Sequence, residues 1–192
     1  MSDQVFRNIS ISILGKGSEE LAKELEIEPV ALAGADVAIF IVSAHDGIAR
    51  ADIEQWQHAR ELYIPSLVAI SETDTADLDF DDMSAIASKM LDPLVVQYLI
   101  LYSEDGRAIG LIDLATLMIL DYTSGVGVLR GSDEEHRELV ESYREEFLEM
   151  TEGMDSSAVA AGLIYPAFPW IRGSALGLDQ IKDALNSIPS LR

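Results

Sequence analysis

The sequence predicts an α/β fold: a mainly parallel sheet of about four strands flanked by helices, with an inserted α+β subdomain. Three observations carry this reading. The run Val37-Ala38-Ile39-Phe40-Ile41-Val42 is apolar throughout, and a strand that never alternates is buried on both faces, as in a helix-covered parallel sheet. Strand-like and helix-like segments alternate from Asn8 to Leu91, the order that gives parallel pairing through right-handed crossovers. After Asp92-Pro93 the period changes and the segments read as an antiparallel meander.

The bulk numbers narrow the function classes. With 192 residues, 48% of them hydrophobic, the chain can bury a substantial core as one domain, with or without an insertion. No apolar stretch is long enough to span a bilayer, and Met1-Ser2-Asp3-Gln4 does not open a signal peptide, so no membrane association is expected. The lack of cysteine leaves no disulfides or thiolate metal sites and suits a cytoplasmic protein. A balance of 34 acids against 13 bases gives a net charge of −21, which repels phosphate backbones. No basic patch with interleaved aromatics offsets it, so no direct nucleic-acid partner is expected.

Taken in order, Asn8 to Leu14 alternates apolar and small polar residues and reads as a strand with one face better buried. Gly15-Lys16-Gly17 breaks it. Ser18 is placed to cap a short helix begun by Glu19 and Glu20, with Leu21, Ala22 and Leu25 as its apolar stripe. Pro29 ends that segment, and Ala33-Gly34 leads into the central strand. Beyond the carboxyl end of that strand stand Ser43, Ala44, His45, Asp46 and Gly47, where open α/β sheets place their ligands. Ala51 to Leu62 is a helix with Ile53, Trp56 and Ala59 on one side. Ser66 to Ile70 is a third buried strand, Ser71 to Asp77 a polar loop, and Asp81 to Leu91 a helix.

The meander comprises Leu94 to Tyr102, Ala108 to Leu111 and Thr116 to Asp121, turning at Glu104-Asp105-Gly106 and closed by Gly125, Gly127 and Gly131. Ser132-Asp133-Glu134-Glu135 has the capping-box pattern and opens a long helix through Met150, with Leu139, Val140, Tyr143 and Phe147 inward. Ser156 to Leu163 is a further helical segment. Ala167 to Ile171 returns to strand character, Arg172-Gly173-Ser174-Ala175 is a loop, and Leu178 to Ile188 is the closing helix. Residues 1–92 and 167–192 thus form the α/β core and 93–166 the insertion. No catalytic or metal-ligating set stands out. Asp79, Asp81 and Asp82, like Glu145, Glu146 and Glu149, read as solvated faces, and His58 as a surface helix residue.

In this order the pieces resemble a known family. Ser43-Ala44-His45-Asp46-Gly47, Trp56 one helix later, and Ala69-Ile70-Ser71-Glu72-Thr73-Asp74 after the next strand resemble the GTPase domain of elongation factor G. Ser103-Glu104-Asp105-Gly106, leading to Gly110-Leu111-Ile112-Asp113-Leu114, is similar to the family's G′ insertion. Gly173-Ser174-Ala175 stands where the family carries its last guanine-binding loop. The resemblance runs from about Arg7 to Pro189 and implies a truncated, P-loop-NTPase-like core with a G′-like insertion.

The departures shape the function it implies. The family's first loop surrounds phosphates and magnesium with backbone N–H groups, a Lys and a Ser or Thr hydroxyl. Here Ser12 to Ser18 is too short for that pattern, and Lys16 is followed by Gly17. Read from the residues alone, Lys16 is a loop lysine between two glycines. The magnesium-binding switch and the Asp-x-Pro-Gly-His segment that positions water have no counterpart, since only residues 27–35 fill their interval. His45 sits in a different loop. The base-recognition loop survives in part as Ser71-Glu72-Thr73-Asp74, with Glu72 where the family has a Lys. Lys16, Ser71, Asp74, Ser174 and Ala175 are the candidate residual nucleotide or ligand contacts. A bidentate base contact is worth about 1–3 kcal/mol, whereas even millimolar binding needs about 4 kcal/mol.

The expected function is a catalytically inactive, elongation-factor-G-like module that binds protein or itself, with no cofactor. The alternative is a non-hydrolysing guanine-nucleotide or small-molecule binder at the strand-end cleft. If the family's second and third strands are gone, Asn8 to Leu14 becomes an edge open to homodimer pairing. Handedness then places the helix Glu19 to Leu25 on the face opposite its family position.

Overall fold

The computed structural model describes residues 9–73, 78–155 and 157–188. In chain order the elements are β1 (Ile11–Leu14), α1 (Ser18–Leu25), β2 (Val37–Ser43), α2 (Arg50–Glu61), β3 (Ser66–Ser71), α3 (Phe80–Met90) and β4 (Leu94–Val96). There follow β5 (Tyr98–Tyr102), β6 (Ala108–Asp113), β7 (Met118–Asp121), β8 (Val128–Gly131), α4 (Glu134–Leu139), α5 (Glu141–Met150), β9 (Tyr165–Trp170) and α6 (Leu178–Ser187). The core sheet has the order β1-β2-β3-β9-β4, every pair parallel. Among the described residues no helix is long and apolar enough to cross a membrane.

Both faces of this sheet are covered, as the unbroken apolar run of β2 requires. Val37, Ile39 and Ile41 pack with Leu21, Ala22 and Leu25 of α1 and Leu178, Ile181 and Leu185 of α6. Ala38, Phe40 and Val42 point the other way, toward Trp56 and Ala59 of α2 and Phe80, Met83 and Ala87 of α3. The Trp56 indole N–H donates to Asp92 at 2.7 Å, so its ring fills the core while its one polar atom stays paired.

Five strands form the sheet, against about four expected. The fifth is β4, expected to open the meander, which instead pairs parallel with β9 from Leu94 opposite Tyr165 to Val96 opposite Ala167. β9 carries Pro166 and Pro169, which have no N–H for a ladder. Because β4 stops opposite Ala167, the upper half of β9 needs a partner on one side alone, β3.

The helix α1 shares its face with the closing helix α6, and the expected switch to the α2 face is corrected. The connection, not the helix, changes face. Ile27 packs on the α1 side, the Val30 N–H donates to the Ile11 carbonyl at 2.9 Å, and Leu32 packs on the α2 side. The chain therefore wraps the outer edge of β1 and enters β2 from the side of α2 and α3. In doing so it takes up one of the edge's exposed carbonyls, on the strand expected to offer a pairing edge from Asn8 to Leu14. Asn8 itself lies outside the described residues. Ser18, expected as a cap, is the first helical residue; Gly17 is the cap position and no side chain bonds there.

The insertion is a four-stranded antiparallel sheet of order β5-β6-β7-β8. The strand β8 was not anticipated, because Gly127 and Gly131 obscure it. The long helix expected through Met150 breaks at Val140 into α4 and α5. Val140 and Phe147 are buried as expected, but Leu139 is 70% exposed and Tyr143 42% exposed. The cap is Asp133, whose carboxylate accepts from the His136 N–H at 2.9 Å, while the Ser132 hydroxyl donates to the Leu117 carbonyl. The stretch from Ser157 to Leu163 is a series of turns in place of the expected helix. Tyr122 docks the insertion on α6, accepting from the Gln180 amide at 3.0 Å and donating to Asp179 at 3.3 Å.

Gly177 starts α6 directly against β9. Its φ is +82°, and a Cβ there would stand 1.8 Å from the Pro169 carbonyl oxygen. Gly177→Ala is expected to cost at least about 3 kcal/mol in urea unfolding, from strain plus overlap; a loss below about 1 kcal/mol would refute the close approach.

Candidate functional site

Parallel strands bring their carboxyl ends to one rim, where the loops after β1, β2, β3 and β9 meet. Gly15 and Gly17 both have positive φ, and a Cβ on Gly15 would lie 2.4 Å from the Ile41 carbonyl oxygen. That contact presses the Gly15-Lys16-Gly17 turn onto β2, so only glycine allows it.

Polar side chains then join loop to loop. The Lys16 ammonium, 61% exposed, pairs with Asp46 beyond β2. The hydrogen bond between them, with their charges, raises the Lys16 pKa and lowers that of Asp46. Ser43 Oγ accepts from the N–H groups of His45 at 3.1 Å and Asp46 at 2.9 Å, and donates to Glu72 beyond β3. Arg172, beyond β9, lies 3.9 Å from Glu72 and over the Trp170 ring at 5.4 Å. Glu24 of α1 completes the set, accepting from the Trp170 indole N–H at 2.9 Å and the Gly173 N–H at 2.8 Å. Three carboxylates, Asp46, Glu72 and Glu24, thus cross-link four loops.

The structure brings Lys16, Ser71, Ser174 and Ala175 to this rim; Asp74 lies outside the described residues. They are not equivalent there. Lys16 is engaged by Asp46. Ser174 Oγ accepts from the Leu176 N–H at 3.1 Å, and the Ala175 carbonyl accepts from the Asp179 N–H at 3.0 Å, so both help to start α6. Ser71 Oγ and Thr73 Oγ1 are buried with no hydrogen-bond partner among the described residues. Sequence reasoning missed Glu24 and Arg172. No spacing rule links Glu24 to a loop 149 positions away, and only the shared face of α1 and α6 puts it in reach.

The family model of the elongation factor Tu GTP-binding domain matches residues 26–191. An elongation factor G-like protein of Mycobacterium tuberculosis is 25% identical over 184 aligned residues, covering 83% of this chain and 25% of that protein. Translation initiation factor IF-2 of Buchnera aphidicola is 44% identical over 46 residues, 24% of this chain and 5% of that protein. A crystal structure from Thermus thermophilus superposes with a TM-score of 0.70 at 26% identity, covering 83% of this chain and 27% of that one. The chain spans about a quarter of the length of the elongation factor G-like protein it matches.

Glu24→Gln leaves one acceptor oxygen for two donors, one of them on the buried Trp170. It is expected to lower stability by about 1–3 kcal/mol in urea unfolding. An unchanged midpoint would show that the link between α1 and the β9 loop contributes nothing.

Proposed function

This chain belongs to the elongation factor Tu GTP-binding domain family, and from that premise we propose a member that does not hydrolyse GTP and acts as a protein-interaction or self-associating module. The observation that carries the reading is the engagement of the rim's cations by the chain's own carboxylates. Lys16 faces Asp46 and Arg172 faces Glu72. Phosphoryl transfer depends on cations and N–H groups free to meet the phosphates, a bound magnesium and a positioned water. Magnesium and a triphosphate fit these residues poorly. Gly17, not a hydroxyl residue, follows Lys16, and Glu24 already holds the Gly173 N–H.

Two further points support it. The residues between α1 and β2, which would have to hold a switch and a water-positioning segment, run round the edge of β1 instead. The family match also begins at residue 26, downstream of the Gly15-Lys16-Gly17 turn. An acidic chain of net charge −21 working in the cytoplasm, with protein and not RNA as partner, is consistent with this reading. Self-association remains part of it, through whatever of the β1 edge the Val30 contact leaves open.

A second reading has its own observation. The hydroxyls of Ser71 and Thr73, without partners among the described residues, support a non-hydrolysing guanine-nucleotide or other small-molecule binder that would use Lys16, Ser71, Ser174 and Ala175, with Asp74, outside the described residues, as the sequence expects. Calorimetry with GDP and with GTP plus magnesium separates the two. No heat at micromolar nucleotide and no phosphate release above the protein-free rate are expected. Binding without hydrolysis would favour the second reading, and hydrolysis would end both. Gel filtration across a dilution series is expected to show a concentration-dependent oligomer; a monomer throughout would remove the self-associating part.

A further inference from the structure

A cavity lies away from the rim, where the core meets the insertion. α3 contributes Asp81, Ser84, Ala85 and Ser88 to its wall, and α5 contributes Tyr143, Glu146 and Met150. These spacings, i, i+3, i+4, i+7 and i, i+3, i+7, are single helix faces turned toward one another. Leu94, Val96, Leu99 and Leu114 complete it with an apolar surface. Its volume is about 110 Å³. One ordered water needs roughly 10–15 Å³ of such space, so a chain of several non-hydrogen atoms fits.

The polar groups of the cavity share one preference. Asp81 and Glu146 supply two carboxylates, and no lining residue is basic. Arg144, beside Tyr143, is turned to the Leu114 carbonyl at 3.1 Å. The Ser84 hydroxyl is buried without a hydrogen-bond partner among the described residues. Burial, and then the charges of Asp79 and Asp82, push the Asp81 carboxyl up to about 6, against the opposing hydrogen bond from Tyr143. A carboxylate held in this way is relieved by a positive group. Among the described residues no group of three or more His, Cys, Asp or Glu could hold a metal ion, and the apolar wall offers a hydrated ion no oxygen ligands.

We propose that this cavity binds a primary ammonium carried on a short aliphatic chain, with the nitrogen at Asp81, Ser84 and Glu146 and the chain along Leu94, Leu99, Leu114 and Met150. Such a ligand touches α3 of the core and α5 of the insertion together, and so fixes one against the other.

The probe is n-butylammonium, titrated into the full chain at neutral pH and followed by amide chemical shifts. Saturable shifts on α3, α5 and β4 are expected, with 1-butanol binding about tenfold more weakly. Asp81→Asn is expected to lower the butylammonium affinity about tenfold. The native Asp81 carboxyl, at about 6 against an ordinary 3.8, holds its proton more firmly than the unfolded one. Stability from this group therefore falls as pH rises between those values, and Asp81→Asn should melt no lower than the parent at neutral pH. Affinity in the parent should rise as pH passes about 6, and Asp81→Asn should lack that rise. The site is overturned by non-saturable shifts, by shifts elsewhere, by butanol binding as tightly, or by unchanged affinity in folded Asp81→Asn.

Discussion

Along β2, side chains turn alternately toward two helical layers, and neither layer can be removed without exposing apolar surface. Val37, Ile39 and Ile41 need α1 and α6, while Ala38, Phe40 and Val42 need α2 and α3. Burying one Val, Ile or Phe side chain is worth about 1.5–3 kcal/mol, so the five of them here, with Ala38, outweigh any single turn or cap. Every other feature of the core answers this demand. The connection from β1 must leave α1 on one face and still deliver the chain to β2, and it does so by passing round the edge of β1.

That detour shapes the rim. The interval before β2 is a short strap, held by the Val30–Ile11 hydrogen bond and by Leu32. The α1 helix, kept on the α6 side, carries Glu24 to the loop after β9 and ties that loop to Trp170. The rim is thereby lined with carboxylates engaged in holding the fold. Structural polar contacts and ligand contacts compete for the same donors, and at Gly173 the structural one is in place.

Two of the places where the insertion meets the core differ in character. Tyr122 against Gln180 and Asp179 is a hydrogen-bonded joint beside a small apolar cluster of Leu111, Tyr122 and Leu176. The joint between α3 and α5 is looser, with a cavity and an ill-solvated carboxylate at Asp81. Tight packing is what makes an interior rigid, so the second joint is where a small ligand could alter how the two parts meet.

Local pattern alone determined much of this. The unbroken apolar run of β2, the alternation of strands and helices, the stripe of α1 and the turn at Glu104-Asp105-Gly106 were all legible, because a strand period of two and a helix period of 3.6 are local properties. Membership of a translation-factor GTP-binding domain family was legible as well, from short motifs kept in order. The face taken by α1, the parallel partner of Leu94–Val96, the break at Val140 and the bridging role of Glu24 were decided only by the tertiary structure. Periodicity says which side of a helix is apolar, but not which side of the sheet receives it. It cannot say which polar groups, 149 residues apart, will meet once the sheet has closed.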